Sequence, residues 1–416
     1  MRGRSLLDVT EDVRIQAGSA LLRHAGAPLD GEAHRHRYGP LPRVDVRDLQ
    51  ALVAGVGLRG RGGAGFPFAR KLGAVADRAG VARRPVVVVN ASEGEPASAK
   101  DAALAQTAPH LVLDGAALSA AALGAREVHV VVPGDRPRVR ALWHQAVLER
   151  DDRVRWRVHA TEPRFVAGQS HAVLELLAGR PGLPVTAWQP AAVVGHRGRP
   201  TLLSNAETWA QVGRLALDGP RAVLAEGTAE EPGTTLLTLH LPGQPVTVVE
   251  AEHGTALGQL VPPSARRGPL LVGGFHGTWT TWSALATASV SPTDLQRRGV
   301  ALGAGVVIAL GPEECALGTT ALIVEHLARQ SAGRCGPCVN GLPALARSVA
   351  GLLRAEPGAH AEAARLTGLV AGRGACAHPD GTARLVGSLL TALPAEVDAH
   401  ADGGCTGAGL RQEVAS

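Results

Sequence analysis

Three groups of residues in this 416-residue chain have the types and spacing to do chemistry. The first is a glycine-rich run over 57–71, in which Gly60-Arg61-Gly62-Gly63-Ala64-Gly65 leads into Phe66 and closes on Lys71. Glycines without a Cβ let successive backbone N–H groups come close to an anion. A helix beginning near Pro67 points its positive end at the same place. Lys71, about one turn into that helix, adds a compact charge suited to a phosphate. The second group is a polar run over 90–101 containing Asn90, Glu93, Glu95, Lys100 and Asp101. The third is Cys335-Gly-Pro-Cys338 with Cys376 further on, flanked by Cys315 and Cys405. Lys71 and Lys100 are the only two lysines, against forty arginines, and both fall in these groups.

Each group has a plainer reading. The spacing at 60–65 satisfies G-x-G-x-x-G, but a dinucleotide-binding turn needs a strand before it and a helix after it. Here 48–54 has helical spacing and the β-branched run comes afterwards, so a standard dinucleotide turn is not expected; a loop with a packing function only is the alternative. The polar run follows a strand, and the carboxyl ends of parallel strands are where ligands sit in open α/β sheets. Its alternative is a solvated loop with an internal salt bridge. A Cys-x-x-Cys pair serves iron–sulfur clusters, zinc half-sites and redox dithiols alike. Cys315, at a strand edge, reads as a buried hydrophobe, and the scattered histidines carry no ligand role.

The elements that must position these residues read as α/β. Residues 86–89, 128–132 and 154–159 have strand character, interleaved with helical spacing at 108–124, 136–149 and 165–178; a helix is also expected over 45–56. This alternation predicts a Rossmann-like, largely parallel sheet with helices on its faces. Residues 235–241 and 246–250 read as a hairpin, followed by a short helix at 256–260 and a strand at 269–272, as in a small β-grasp module. Helical patterning then dominates at 319–330, 342–354, 361–369 and 383–393. The expected domains are an N-terminal extension at 1–50, an α/β domain at 51–228, a β-grasp domain at 229–300 and a helical cysteine-bearing domain at 301–416.

Composition bounds the function. Hydrophobic residues at 45% and charged residues at 19% suit a globular protein. The net charge of +5 comes from singly scattered arginines rather than basic runs with interleaved aromatics, so no nucleic-acid role is expected. No apolar stretch reaches the roughly 18 residues of a membrane span, and the first residues show no leader pattern. The expectation is a cytoplasmic protein without direct membrane insertion, peripheral to a membrane only through a partner.

Runs 57–71 and 90–101 together resemble the NADH-binding flavoprotein subunit of respiratory complex I and its soluble hydrogenase and formate dehydrogenase relatives. Three further segments are similar to that family: Phe165-Val-Ala-Gly168-Gln169-Ser170, Pro200-Thr-Leu-Leu-Ser204-Asn205-Ala-Glu207-Thr208, and Val272-Gly-Gly-Phe-His-Gly-Thr-Trp279. The resemblance implies FMN held by Gly60, Arg61, Gly62, Gly63, Gly65, Phe66, Lys71, Asn90, Glu93, Glu95, Phe165, Gly168, Ser204 and Asn205. It assigns Lys71 to the FMN phosphate, gives Glu93 and Glu95 orienting roles with no side chain as nucleophile, and pairs Lys100 with a carboxylate. It implies an iron–sulfur cluster, 4Fe–4S or 3Fe–4S, on Cys335, Cys338 and Cys376. Ala332 stands where the family has its first cysteine, with Cys405 or His378 as a substitute ligand. NAD(H) is the implied substrate, and a ferredoxin or another oxidoreductase subunit the implied partner. The sequence also departs from the family. Gln169 and Ser170 replace paired glutamates, Ser92 replaces an aspartate, and Ala74 and Pro190 stand where adenine-stacking aromatics are expected, with Trp188 as a stand-in. The expected function is hydride transfer from NADH to FMN and onward electron transfer through the cluster. The alternatives are an electron-transfer or assembly subunit with weakened or lost NADH oxidation, and an FMN protein fed by another donor.

Overall fold

The structure, a computed structural model, describes residues 6–7, 13–80, 83–186 and 189–407, so Trp188 lies outside the described residues. The chain divides into two compact units. One takes in the described residues of Val9–Thr238 and Thr247–Gly254, the other those of Leu239–Val246 and Thr255–Ser416.

The first unit is built on four parallel strands in the order Arg155–Thr161, Glu127–Pro133, Val86–Asn90, Thr201–Asn205. An all-valine strand shows no alternation because both faces of such a sheet are covered. Val87, Val89, Val130 and Leu202 pack into one core with helices Pro109–Leu123 and Ala206–Asp218. Val86, Val88, Val131 and Leu203 face the other side, against Val173 and Leu177 of helix Ser170–Leu177. Helices Pro109–Leu123 and Ala206–Asp218 approach so closely that a Cβ on Gly115 would stand 2.0 Å from the Trp209 carbonyl oxygen, and one on Gly213 2.2 Å from that of Leu111.

Most expected elements are present, with differences that have physical causes. Residues 165–178 form a 3-10 turn, Phe165–Gly168, and then helix Ser170–Leu177, because Gln169 is extended between them (φ −71°, ψ 140°). Helix Lys100–Thr107 was hidden in the polar run, since its N-terminus is capped from outside by Glu93 rather than by a local Ser or Asp. Residues 13–50 of the N-terminal segment, read as an extension, are built into this unit. Leu21 and Leu22 are fully buried, Arg14–Ile15 pairs in parallel with Thr247 and Val248, and the Glu250 carboxylate accepts the N–H groups of Ala20, Leu21 and Leu22.

In the second unit Leu270–Val272 lies antiparallel to Val306–Ala309 on one side and to Thr278–Thr280 on the other. Helices Ala316–Arg329, Leu342–Leu353, Ala359–Val370, His378–Ala392 and Pro394–Ala401 follow. Trp279 joins strand to helices: its indole N–H donates to Thr320 Oγ1 at 2.8 Å and its backbone N–H to Ser388 Oγ at 2.9 Å. Among the described residues no helix is long and apolar enough to cross a membrane.

Candidate functional site

The glycine run forms a closed loop at the carboxyl ends of the central strands. Gly60 N–H donates to Phe66 O and Phe68 N–H to Leu58 O, both at 2.9 Å. Gly63 (φ 92°) and Gly65 (φ 58°) hold left-handed conformations that side chains disfavour. Gly62, Gly63 and Ala64 are exposed, so the loop presents bare backbone outward. Helix Phe68–Ala76 begins directly after it and carries Lys71, whose Nζ donates to Leu203 O at 2.9 Å and Ser204 Oγ at 3.4 Å. Both acceptors are uncharged, and burial pushes the ammonium pKa down. A largely buried cation bonded only to neutral oxygens is the electrostatic complement of an anion, and beside outward-facing glycine backbone that anion fits a phosphate.

Two asparagines close the strands above it. Asn90 and Asn205 are register partners on the adjacent parallel strands. Asn205 Nδ2 donates to Arg61 O at 3.2 Å, and its Oδ1 accepts the Thr208 N–H, capping helix Ala206–Asp218. Asn90 Nδ2 donates to Gly168 O at 2.7 Å, while its Oδ1 accepts the Ser92 hydroxyl at 2.7 Å. The turn Phe165–Gly168 lies hard against the 90–94 loop: a Cβ on Gly94 would sit 2.6 Å from Phe165 O, and one on Gly168 2.8 Å from Ser92 Oγ. The fold therefore gathers Gly62, Lys71, Ser204 and Asn205 on one side, and Asn90, Gly94, Phe165 and Gly168 on the other. Glu95 lies at the mouth of the polar loop, half-buried, with Oε1 accepting the Ala97 N–H at 3.2 Å. Phe66 is 46% exposed with the Arg70 guanidinium 5.7 Å from its ring.

Two expected cofactor residues are turned into the protein instead. Glu93 (φ 41°) accepts the N–H groups of Asp101 (2.8 Å) and Ala102 (3.1 Å) and the Ser98 hydroxyl (2.9 Å), and pairs with buried Arg136 at 2.8 Å. Its carboxylate caps a helix and offers no face to a flavin. Burial, followed by this neighbouring carboxylate, holds the Asp101 carboxyl well above the usual range. The Arg61 side chain donates to His253 Nε2 and Thr234 O, both at 3.0 Å, and its backbone N–H donates to Thr208 Oγ1 at 2.9 Å. Arg61 anchors the loop, and the carboxylate near its guanidinium is the protein's own Glu207, 4.0 Å away. Lys100, expected to pair with a carboxylate, is buried 2.7 Å from Glu207 Oε2 and also donates to Arg61 O. Glu207 and Arg136 are the buried partners that sequence reasoning left without a role. The one available signal was Glu207 itself, a carboxylate in the first turn of helix Ala206–Asp218, where Gln211 and Arg214 are buried one and two turns on.

The second unit gathers Cys335, Cys338 and Cys376. Burial raises the Cys335 thiol, but the N–H groups of Ala375 and Cys338 and the Cys338 thiol outweigh it and hold the pKa below the usual thiol range. Cys338, on the π-helical turn Pro337–Gly341, is pushed up to about 11 by burial, the bond from Cys335 and the nearby Cys335 and Cys376. π-helical turns are rare and frequent at functional sites. Three converging thiols with backbone N–H groups aimed at sulfur suit a cluster held by three thiolates. The suggested substitute ligands do not join them. His378 Nε2 donates to Leu327 O at 2.8 Å and its Nδ1 faces His276 Nε2 at 3.1 Å. Cys405 lies instead with Cys315, within a group whose ligand atoms are all within 4.8 Å of one another. Cys315 is buried, as expected, but it caps helix Ala316–Arg329, accepting the Gly318 N–H, so its sulfur has polar company.

Comparison with known proteins bears on both sites. A family model described as the Nuo51 FMN-binding domain matches residues 53–214, and one described as the NADH-ubiquinone oxidoreductase-F iron–sulfur binding region matches residues 318–400. The chain is 30% identical over 387 residues to the F subunit of NADH-quinone oxidoreductase of Mycobacterium tuberculosis, covering 86% of this chain and 85% of that protein. It is 28% identical over 395 residues to the second F subunit of NADH-quinone oxidoreductase of Rhizobium meliloti, covering 89% and 92%. Among solved structures, an NAD+-reducing NiFe hydrogenase in its H2-reduced state superposes with a TM-score of 0.80 at 23% identity, over 94% of this chain and 68% of that one, a likeness of fold. With a glycine loop and a half-buried lysine inside the first matched region and three converging cysteines inside the second, this chain belongs to the F-subunit family of NADH-quinone oxidoreductases.

Proposed function

We propose that this chain binds FMN and an iron–sulfur cluster, takes reducing equivalents from NADH, and delivers electrons to a partner oxidoreductase subunit or a small ferredoxin. FMN, when bound, supplies the acceptance of two electrons with a proton and their release one at a time, and the protein's task is to position and tune it. The observation that carries the reading is Lys71: a half-buried ammonium bonded, among the described residues, to neutral oxygens, beside exposed glycine backbone. Lys71 and Gly62 to Gly65 hold the phosphate. Asn90, Asn205, Phe165 and Gly168 shape the wall next to it, Ser204 fixes Lys71, and Glu95 takes the orienting role toward the nicotinamide. Cys335, Cys338 and Cys376 hold the cluster. The assembly works at a membrane only through its partner.

Four residues favour a second reading, an electron-transfer or assembly subunit with weakened NADH oxidation. Gln169 and Ser170 carry no charge, and Ala74 and Pro190 offer no aromatic ring. Base–aromatic stacking contributes about 1–3 kcal/mol per base, so two lost platforms weaken a nucleotide by one or more orders of magnitude. An anaerobic visible spectrum of the purified chain before and after NADH separates the readings. Flavin absorption that NADH bleaches is expected. Flavin that only dithionite bleaches overturns NADH as donor, and a chain that binds no added FMN overturns the flavoprotein.

A further inference from the structure

The helix Ala316–Arg329 separates two cysteine groups. Cys315 caps its start, whereas Cys335 lies beyond its end, and 14 helical residues span about 21 Å. At the Cys315 end, Glu396 and His400 project from one face of helix Pro394–Ala401, four residues apart, and Cys405 follows the helix. Cys315 Sγ is 2.9 Å from Glu396 Oε1 and 3.2 Å from His400 Nε2, and His400 Nε2 is 3.4 Å from Glu396 Oε1. All four ligand atoms, Cys405 Sγ included, lie within 4.8 Å of one another, and Cys315, Glu396 and His400 are buried. We propose that Cys315, Glu396, His400 and Cys405 bind a single zinc-class divalent cation, separate from the iron–sulfur cluster, as a closed site pinning the last helix to the start of Ala316–Arg329.

Four observations support this. First, the donor set of two sulfurs, one imidazole and one carboxylate is that of a tetrahedral zinc site; hard cations such as calcium and magnesium prefer oxygen. Second, zinc–ligand lengths of about 2.0–2.3 Å give a tetrahedron with edges of about 3.3–3.8 Å; the ligand atoms of Cys315, Glu396 and His400 are already 2.9–3.4 Å apart, and Cys405 Sγ is within 4.8 Å of each. Third, Glu396 is 4% exposed and its Oε2 has no hydrogen-bond partner among the described residues, a buried carboxylate oxygen that a bound cation would satisfy. Fourth, Gly318 N–H donates to Cys315 Sγ at 3.0 Å, the bond expected of a ligating thiolate. Without a cation, burial and the Glu396 carboxylate push the Cys315 thiol far up. A thiol that ligates exchanges its S–H bond for a bond to the metal and releases its proton, with no change of oxidation state.

The test uses the full chain, purified anaerobically, stripped with a chelator and given Zn2+, then desalted for metal analysis. One zinc per chain is expected, and Co2+ in its place should give the intense visible bands of tetrahedral thiolate coordination. His400→Gln and Cys405→Ser should lower zinc affinity at least tenfold while leaving iron unchanged; Cys335→Ser should lose iron and keep zinc. The proposal is overturned if the unmutated chain retains no zinc and gives no tetrahedral cobalt spectrum. It is equally overturned if mass spectrometry of the anaerobically purified chain finds a Cys315–Cys405 disulfide. The cobalt spectrum needs no variant, so a substitution that fails to fold does not blunt the test.

Discussion

Lys100 Nζ lies 2.7 Å from Glu207 Oε2, with the two side chains 8% and 0% exposed. The same carboxylate accepts the Leu236 N–H at 3.0 Å and the Thr235 hydroxyl at 3.2 Å, and the same ammonium donates to Arg61 O at the root of the glycine loop. The chain's two lysines thus have opposite characters. Lys100 is matched by a buried counter-charge and fixes the loop from beneath, whereas Lys71 faces neutral oxygens and is left to meet a ligand.

Breaking the matched pair should be costly. Removing one partner of a buried ion pair leaves the other uncompensated, at about 3–5 kcal/mol. Glu207→Gln and Lys100→Met should each lower unfolding stability by that much in a denaturant titration. Replacing both with apolar residues should cost less than the sum of the two single changes, because no charge is then stranded.

Lys71→Met should behave in the opposite way. It removes a desolvated ammonium, so unfolding stability should hold or rise. A charge-assisted hydrogen bond is worth about 1.5–3 kcal/mol, so FMN affinity should fall about 10–100-fold, read by quenching of flavin fluorescence. Unchanged affinity would remove Lys71 from the phosphate site.

Flavin affinity should also depend on pH through this residue. Burial depresses the Lys71 pKa below 10.5 in the free protein, whereas a bound phosphate favours the charged form and raises it. Binding therefore takes up a proton at alkaline pH, and affinity should fall as pH rises through the depressed value, before an ordinary lysine would titrate. In Lys71→Met that alkaline decline should vanish.

Acid should loosen the loop's other anchor. His253 is buried against Arg61, and burial followed by the guanidinium lowers its pKa to about 4. An unfolded histidine titrates near 6.5, so the unfolded state binds the extra proton between these values, and stability is lost as pH falls from about 6.5 to about 4. The difference corresponds to about 3 kcal/mol at most. Thermal unfolding followed across that window should show the decline, and His253→Gln should shrink it.

These contrasts explain what could be read in advance. The valine strand, the glycine loop and Lys71 carry local signals: β-branched runs, positive-φ positions, a lysine one turn into a helix. They make the parallel sheet, and a glycine loop leading into a helix that carries Lys71, legible in the sequence. Glu93 and Arg61 could not be sorted this way, because both sit in motifs that suit a ligand. What turns them inward is distant chain, Arg136 for Glu93 and His253 with Thr234 for Arg61. The fourth cysteine failed for a similar reason. Cys405 is expected as a substitute for the ligand missing at Ala332, yet the helix Ala316–Arg329 holds Cys315 and Cys335 at opposite ends, and Cys405 lies with Cys315.

That separation makes a sharp prediction about iron. Cys335, Cys338 and Cys376 converge, while Ala332 leaves the usual first ligand position without a thiol. Three thiolates hold a cluster less firmly than four, so the reconstituted chain should lose iron to a chelator faster than the Ala332→Cys variant. Cys335→Ser and Cys376→Ser should each lower bound iron and sulfide sharply, since two thiolates then remain. Cys405→Ser should leave both unchanged, because its sulfur belongs to the Cys315 group. Iron and acid-labile sulfide measured on the same anaerobic samples would check all four variants. Loss of iron from the Cys405 variant, with the Cys335 variant intact, would move the cluster to the other end of the helix.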